Sequence, residues 1–376
     1  MKILFICSSI PSTGIHYYAA RLPIAMKNEK NANIVVLSSP GEAEANVREM
    51  VKNEGIELID FPEPEKRGWR STIMSAKFLA TLFAKHQVDI VHTFGFASAF
   101  RCWLGQLIFG RRKKIPIIIS LESIKHGSRV EFLARLIASQ IFNLMPCQVC
   151  TLSSIEYKKM KRAGIMHSKL KLIPNWVDFE KFEKSNKGYL PFENSLNGKV
   201  IIVYLAQFIQ RKGHIYLLKA AAKIIKNHPD CVFVLAGDGP LLPKICSLAK
   251  RLNLLNHLIL PGRLSSEQVS VLLKRSDIGV VASLSETFGW TIVEPLMADK
   301  PVVSTAVGYA LDLAQINGVL IVPRRDANAL TIALKRLIEE PELRENIAKK
   351  GKKFVLETCN IDKIANQYYT IYSKFI

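Results

Sequence analysis

Two hydrophobic patterns alternate along most of this chain. Short apolar or β-branched runs fall at 3–8, 34–38, 56–61, 89–92, 115–121 and 148–152. Between them, at 17–26, 71–85, 97–108 and 130–144, apolar residues recur at helical spacing. Unbroken apolar runs of this length fit strands buried on both faces, and the longer patterns fit amphipathic helices. Strands alternating with helices predict parallel βαβ units in a doubly wound sheet. The alternation stops at 184–199, KSNKGYLPFENSLNGK, a polar stretch rich in Gly, Pro, Asn and Ser that reads as a linker. It then restarts, with strands expected at 200–205, 232–236, 258–260, 278–281, 302–304 and 320–322 and helices at 215–225, 241–252 and 266–274. The pattern predicts two α/β domains of similar size, 1–186 and 199–360, and a last helix at 361–376.

Composition narrows the choice. A chain of 376 residues can bury sizeable cores, and 49% hydrophobic with 22% charged residues is a globular balance. No apolar run approaches the roughly 20 residues that span a bilayer. The opening MKILFICSSIP has one Lys and no small-residue cleavage pattern after it, so it reads as a first buried strand of an intracellular, cytoplasmic chain. Seven cysteines at scattered spacing fit free thiols in a reducing compartment. Cys147-x-x-Cys150 lies inside PCQVCTLS without a second Cys/His pair at metal spacing, and reads as buried strand residues. The formal net charge is +20, with clusters at Arg111-Arg112-Lys113-Lys114 and at Lys158-Lys159 with Lys161-Arg162. No recognition motif and no aromatic–basic interleaving accompany them, so nucleic acid is not an expected partner. Solvated surface and an anionic membrane face both remain open as readings of that charge.

The densest chemistry lies in 283–299, SLSETFGWTIVEPLMAD, flanked by apolar runs and read as a loop and helix between two strands. Glu286 falls in the loop and Glu294 about a turn inside the helix, with seven residues between them. The N–H groups near Thr287, Phe288 and Gly289 lack intrahelical partners and share the positive end of the helix dipole, which suits a phosphate or diphosphate. A carboxylate only accepts hydrogen bonds, so Glu294 suits a vicinal diol such as a ribose, and Glu286 a second polyol. Hydroxyl, phosphate and hydroxyl in a row describe a nucleotide-sugar; a solvated carboxylate pair beside an ordinary loop is the plain alternative. Lys212, followed by Gly213 and a helix, is placed to bring a cation to a diphosphate, although a surface Lys near a helix start is common. Gly237 and Gly239 permit positive φ and a close backbone approach, which a tight turn alone would also need. Gly14, in SSIPSTGIHYY, stands where the first loop must turn into a helix.

Glu286-x7-Glu294 with Phe288-Gly289 resembles the signature of retaining GT-B glycosyltransferases of the large family 4 group. The resemblance extends over nearly the whole chain. Asp89-Ile90-Val91-His92, Pro174-Asn175-Trp176-Val177-Asp178, Ala236-Gly237-Asp238-Gly239-Pro240 and Pro261-Gly262-Arg263-Leu264 are similar to further family motifs. It implies an α/β GT-B fold, two doubly wound Rossmann-like domains facing a central cleft, with helix 361–376 packed back on the first. It implies that Glu286 meets the transferred sugar, Glu294 the ribose and Lys212 the diphosphate. Gly14, Gln207, Arg211, Gly237, Arg263, Leu264, Thr287, Phe288, Gly289 and Trp290 would line the donor, with the 261–264 backbone at the base. Some positions depart from the pattern. Ile15 replaces the second Gly of a pair, Glu122 replaces a His near the reacting sugar, and Gln207 replaces an Arg for which Arg211 offers a substitute. Gly308-Tyr309-Ala310-Leu311-Asp312 matches a Gly-pair-then-Glu segment only in part. An ionised Glu122 accepts a hydrogen bond from a sugar hydroxyl but cannot donate one.

The implied activity is retaining transfer from a nucleotide-sugar, UDP-sugar favoured over GDP-mannose, to a glycan or lipid-linked acceptor in cell-surface polysaccharide or glycolipid synthesis. Lys212, Glu286 and Glu122 would be the catalytic set. No cofactor and no metal are expected, since no Asp-x-Asp pair occurs and Lys212 would supply the cation. A catalytically idle nucleotide-sugar-binding protein and a sugar-nucleotide epimerase of the same fold are the alternatives.

Overall fold

A computed structural model of the chain describes residues 1–7, 13–30, 32–38, 45–61, 68–110, 114–121, 128–177 and 189–376. The chain forms two units, Met1–Trp176 with Ile361–Ile376, and Val177–Asn360.

The first unit holds β1 (Lys2–Cys7), β2 (Asn33–Ser38), β3 (Glu57–Asp60), β4 (Ile90–Phe94), β5 (Ile117–Leu121), β6 (Cys147–Thr151) and β7 (Leu170–Leu172). They pair in the order β3-β2-β1-β4-β5-β6-β7, every pair parallel. Strands β4, β5 and β6 are buried at every residue, which is why their sequences are continuous rather than alternating: helices cover both faces. Cys147 and Cys150 sit in β6, where burial pushes the Cys147 thiol up to about 12. The short edge strand β7, Leu-Lys-Leu, escapes the apolar pattern because two of its three residues are exposed.

The second unit holds β8 (Val200–Leu205), β9 (Cys231–Ala236), β10 (Leu258–Ile259), β11 (Ile278–Val281), β12 (Val302–Thr305) and β13 (Leu320–Val322), in the parallel order β10-β9-β8-β11-β12-β13. The α/β architecture expected from the alternation is the one observed. The unit starts earlier than the polar stretch 184–199: of that stretch, 184–188 belongs to the residues not described, while Leu190 and Leu196 are buried in the core beneath β8 and β9. Two isolated leucines in polar surroundings carry no periodicity, so composition alone reads as linker.

Both sheets run outward in opposite directions from a central pair, β1 and β4 in one, β8 and β11 in the other. Such a reversal parts the loops at the carboxyl ends of the two strands and leaves a crevice between them. In the first unit the helix Ile361–Tyr372 closes over β4: His92 Nδ1 meets the Tyr372 hydroxyl, His92 Nε2 lies 2.9 Å from Ser120 Oγ, and Ser120 Oγ lies 2.6 Å from the Tyr368 hydroxyl. No helix among the described residues is long and apolar enough to cross a membrane.

Candidate functional site

Strands β8 and β11 pair directly, Ile278 against Ile202 and Gly279 against Val203, so the loops that follow them start as neighbours. The β8 loop carries Arg211 and Lys212; the β11 loop carries Ser283 to Gly289. Gly213 lets them close up. It sits at φ +64°, and a Cβ there would come within 2.1 Å of the Ala282 carbonyl oxygen. Any other residue would hold the loops apart. The amide of Leu284 then donates to the Arg211 carbonyl at 2.7 Å, and Thr305 Oγ1 donates to the Ser283 carbonyl at 2.5 Å from the next strand.

Glu286 is the centre of this contact. Lys212 Nζ donates to its Oε1 at 2.5 Å, Ser283 Oγ donates to the same oxygen at 2.7 Å, and Arg211 Nη1 lies 3.4 Å from Oε2. The Glu286 side chain is 6% exposed and that of Lys212 12%. Burial pushes the Glu286 carboxyl up, but the Lys212 ammonium, the Arg211 guanidinium and the hydrogen bonds from Lys212 and Ser283 outweigh it and hold the carboxyl below its ordinary value. The carboxylate stays ionised. Two cations against one carboxylate leave the cluster net positive, which suits an anionic ligand.

Two members of this network are invisible to motif reading. Tyr204, fully buried at the end of β8, donates its hydroxyl to the Lys212 carbonyl at 2.7 Å and lies 2.9 Å from Ser283 Oγ. A ring closes from Tyr204 through the Lys212 backbone and side chain to Glu286, Ser283 and back. In VIIVYL, Tyr204 looks like another core residue; the available signal was its hydroxyl, which a buried tyrosine must satisfy. His214 is the second. It opens the helix His214–Ile224, stacks on Phe208 at 4.4 Å and 19°, and is 2% exposed. Burial and the nearby Lys212 charge push its imidazole down to about 4, against a backbone hydrogen bond at Ala206 that raises it.

The remaining expected residues fall out as follows. The helix Trp290–Met297 starts after Gly289, and no side chain caps it there. Gly289 is the residue at its N-terminal cap, and the Ile292 amide bonds the Gly289 carbonyl at 2.9 Å. Phe288 is buried, tilted against Tyr309 at 4.9 Å and edge-on to Trp290 at 5.4 Å, and Thr287 is buried beside it. These contacts shape the loop. Glu294 is half-buried, one turn into the helix. Gly237, at φ +149°, would place a Cβ 2.1 Å from the Ala206 carbonyl oxygen, so the β8 loop itself demands the glycine. Its amide donates to the Gly262 carbonyl at 2.8 Å, joining the turn after β9 to the loop of Arg263, which is exposed, and Leu264, which packs on the core. Gln207 is exposed, whereas Arg211 reaches Glu286. Gly14 lies in the first turn of the helix Thr13–Lys30 in the first unit. Glu122, Asp178 and Arg111 to Lys113 lie outside the described residues. No group of three or more His, Cys, Asp or Glu among the described residues is placed to hold a metal ion.

Two family models together match most of the chain: Glycosyltransferase Family 4 over residues 13–181, and Glycosyl transferases group 1 over residues 189–354. The uncharacterized glycosyltransferase MJ1607 of Methanocaldococcus jannaschii is 26% identical over 234 residues, 60% of each chain, so the match spans less than two thirds of that relative. The N-acetyl-alpha-D-glucosaminyl L-malate synthase of Bacillus anthracis is 24% identical over 301 residues, 79% of this chain and 77% of that protein. A crystal structure of Anabaena Alr3699/HepE in complex with UDP-glucose superposes with a TM-score of 0.80 at 19% identity, covering 100% of both chains.

Proposed function

Because the chain belongs to the family 4, group 1 glycosyltransferases and has their GT-B fold, we propose that it moves a sugar from a nucleotide-sugar to an acceptor hydroxyl with retention at the anomeric carbon. The observation that carries this reading is the buried Lys212–Glu286 pair, with Arg211 beside it, at the reversal point of the second sheet. Breaking the bond between the anomeric carbon and the phosphate oxygen sends the electron pair to the leaving diphosphate and leaves positive charge on the sugar. Lys212, Arg211 and the amides at the start of the helix Trp290–Met297 stabilise that leaving group. Glu286 accepts from a hydroxyl of the transferred sugar, and Glu294 from the ribose. The acceptor oxygen bonds the anomeric carbon on the face the diphosphate leaves, and its proton passes to the departing phosphate oxygen. Neither a protein nucleophile nor a metal ion is part of this scheme, since the Lys212 ammonium supplies the cation. A UDP-sugar donor is favoured by the similar Anabaena structure in complex with UDP-glucose. The acceptor in this reading is a glycan or a lipid-linked saccharide.

The test is thermal shift against UDP, GDP, ADP, CMP and their common sugar conjugates, with and without EDTA. A ligand at 100 times Kd adds about 2.7 kcal/mol, enough to see. One nucleotide series should stabilise the chain equally with and without EDTA, and its sugar conjugate should yield a retained product by NMR. Silence across the panel, or an inverted product, overturns the reading.

A further inference from the structure

The second unit holds a cleft of about 710 Å³ that none of the residues assigned to the donor lines. Three segments wall it. Lys219 and Lys223 stand one turn apart on the helix His214–Ile224, and Lys226 follows in the turn after it. Arg251 ends the helix Leu242–Arg251, and Arg325 comes from the turn before the helix Ala327–Glu339. All five residues are exposed.

Against these cations the lining sets one carboxylate, Asp326, and its oxygen is already committed. Asp326 Oδ1 accepts from the amides of Asn328 and Ala329, both at 2.9 Å, and so caps the helix behind it. The side-chain oxygen of Asn328 takes up Lys223 Nζ. Among the described residues no carboxylate forms a salt bridge with any of the five cations. Like charges gathered on one concave surface raise each other's energy, and an anion between them reverses the sign of that interaction. Because Asp326 spends the helix amides, side chains alone would hold such an anion.

The backbone adds a second observation. Arg325 sits at φ +65°, in the left-handed region that a Cβ makes costly, and Asn253, two residues after Arg251, sits at φ +55°. Asparagine bears that conformation readily and arginine does not. The turn at Arg325 also divides two consecutive arginines. Arg325 lines the cleft, whereas Arg324 does not line it and donates from Nη1 to the Leu284 carbonyl at 3.3 Å. An arginine kept where glycine would be at ease points to a use for its side chain.

We propose that this cleft is a second anion site, separate from the donor site, for a small molecule carrying two or more phosphate groups. The guanidinium forks of Arg251 and Arg325 match pairs of phosphate oxygens, and the three lysines supply point charges. The volume is in the range of small-ligand pockets and exceeds what one phosphate fills. A nucleic acid is the poorer occupant, because its phosphates are spread along a strand while these charges converge on one cleft. The proposal depends on neither the donor nor the reaction.

Calorimetric titration of the full chain with tripolyphosphate tests it, with Lys212→Ala used to silence the donor site, which would take the same probe. Lys212→Ala should still bind one tripolyphosphate, about tenfold more tightly than sulfate and more weakly as salt rises. Lys219→Gln with Lys223→Gln and Arg325→Gln in that background should weaken binding by about tenfold or more, the loss of charge-assisted contacts. In the parent the same three substitutions should remove one of two binding steps and leave a nucleoside diphosphate bound as before. These side chains are exposed, so the melting temperature should hold. No binding to Lys212→Ala, sulfate bound as tightly as tripolyphosphate, or a triple variant that binds like its background overturns the proposal. A chain that ignores tripolyphosphate but loses a gel shift of single-stranded DNA on the triple substitution overturns it too, by making the cleft a nucleic-acid contact.

Discussion

The two sheets offer the same place twice and use it in opposite ways. In each, the central strands part at a reversal, and in each, polar side chains are buried beneath it. In the first unit they are neutral: burial pushes the His92 imidazole down to about 3, and the ring is satisfied by Ser120 and Tyr372. In the second they are ionised: Glu286 is as deeply buried as many core residues, yet its partners keep it a carboxylate. A neutral hydroxyl–imidazole network clasps a helix at little electrostatic cost. A buried ion needs matched partners to survive desolvation, and apolar packing would serve stability as well or better. Topology therefore supplies the location, and charge separates a clasp from a candidate reaction site.

The largest expected effect tests that separation. Lys212→Ala removes the cation proposed to face the leaving diphosphate, and turnover at saturating donor should fall by about 10² to 10³, the usual scale for one preorganised electrostatic contact. A variant that folds and turns over like the parent would reduce the second network to a clasp like the first. The next effect divides the two carboxylates. Glu294→Ala should weaken nucleotide binding by roughly ten- to a hundredfold, the worth of a hydrogen bond to a charged acceptor. Glu286→Ala should leave nucleotide affinity nearly intact and lower turnover, because Glu286 is assigned to the sugar. Calorimetry with the nucleoside diphosphate, beside initial rates, measures both; equal loss of affinity in the two variants sinks the division.

Much of this was legible in the chain itself. Buried strands announce themselves as apolar runs because both faces are covered, and only β7, with two exposed lysine and leucine positions, slipped through. Glu286, Lys212 and Arg211 could be named because loops carry few charged residues that also match a spaced pattern. What could not be read is reciprocity. Lys212 and Glu286 are 74 residues apart in sequence, and only the pairing of β8 with β11 brings them within 2.5 Å. Tyr204 and Ser283 were missed for the same reason, since their roles lie in the partners they reach. Gly237 was read as serving a close backbone approach or a tight turn, and the Ala206 carbonyl, 2.1 Å from where a Cβ would stand, gives the turn its own reason for the glycine. Leu190 and Leu196 were lost in a polar stretch, because burial by distant elements leaves no local period.

The smallest effect sharpens the contrast through pH. His92 and His214 have folded pKa values lowered from 6.5 to about 3 and about 4 by burial. Each is neutral when folded and takes up a proton only when its unit unfolds, so its full contribution is present above pH 6.5. That contribution is lost as pH falls from 6.5 toward the folded value, by up to about 1.4 kcal/mol per pH unit for each ring. Glu286 works in a different window: its folded value is held below 4.5, so its stabilisation is present above 4.5 and is lost only further down. Between pH 6.5 and 5 the histidines act without it. His214→Phe keeps an aromatic ring for the stack on Phe208 and removes the titrating group. Melting curves across that interval should therefore flatten for the second unit in His214→Phe, while the slope contributed by His92 persists. An unchanged slope would mean that the folded protein already protonates His214 beside Lys212, and the second network would then tolerate a third cation next to Glu286.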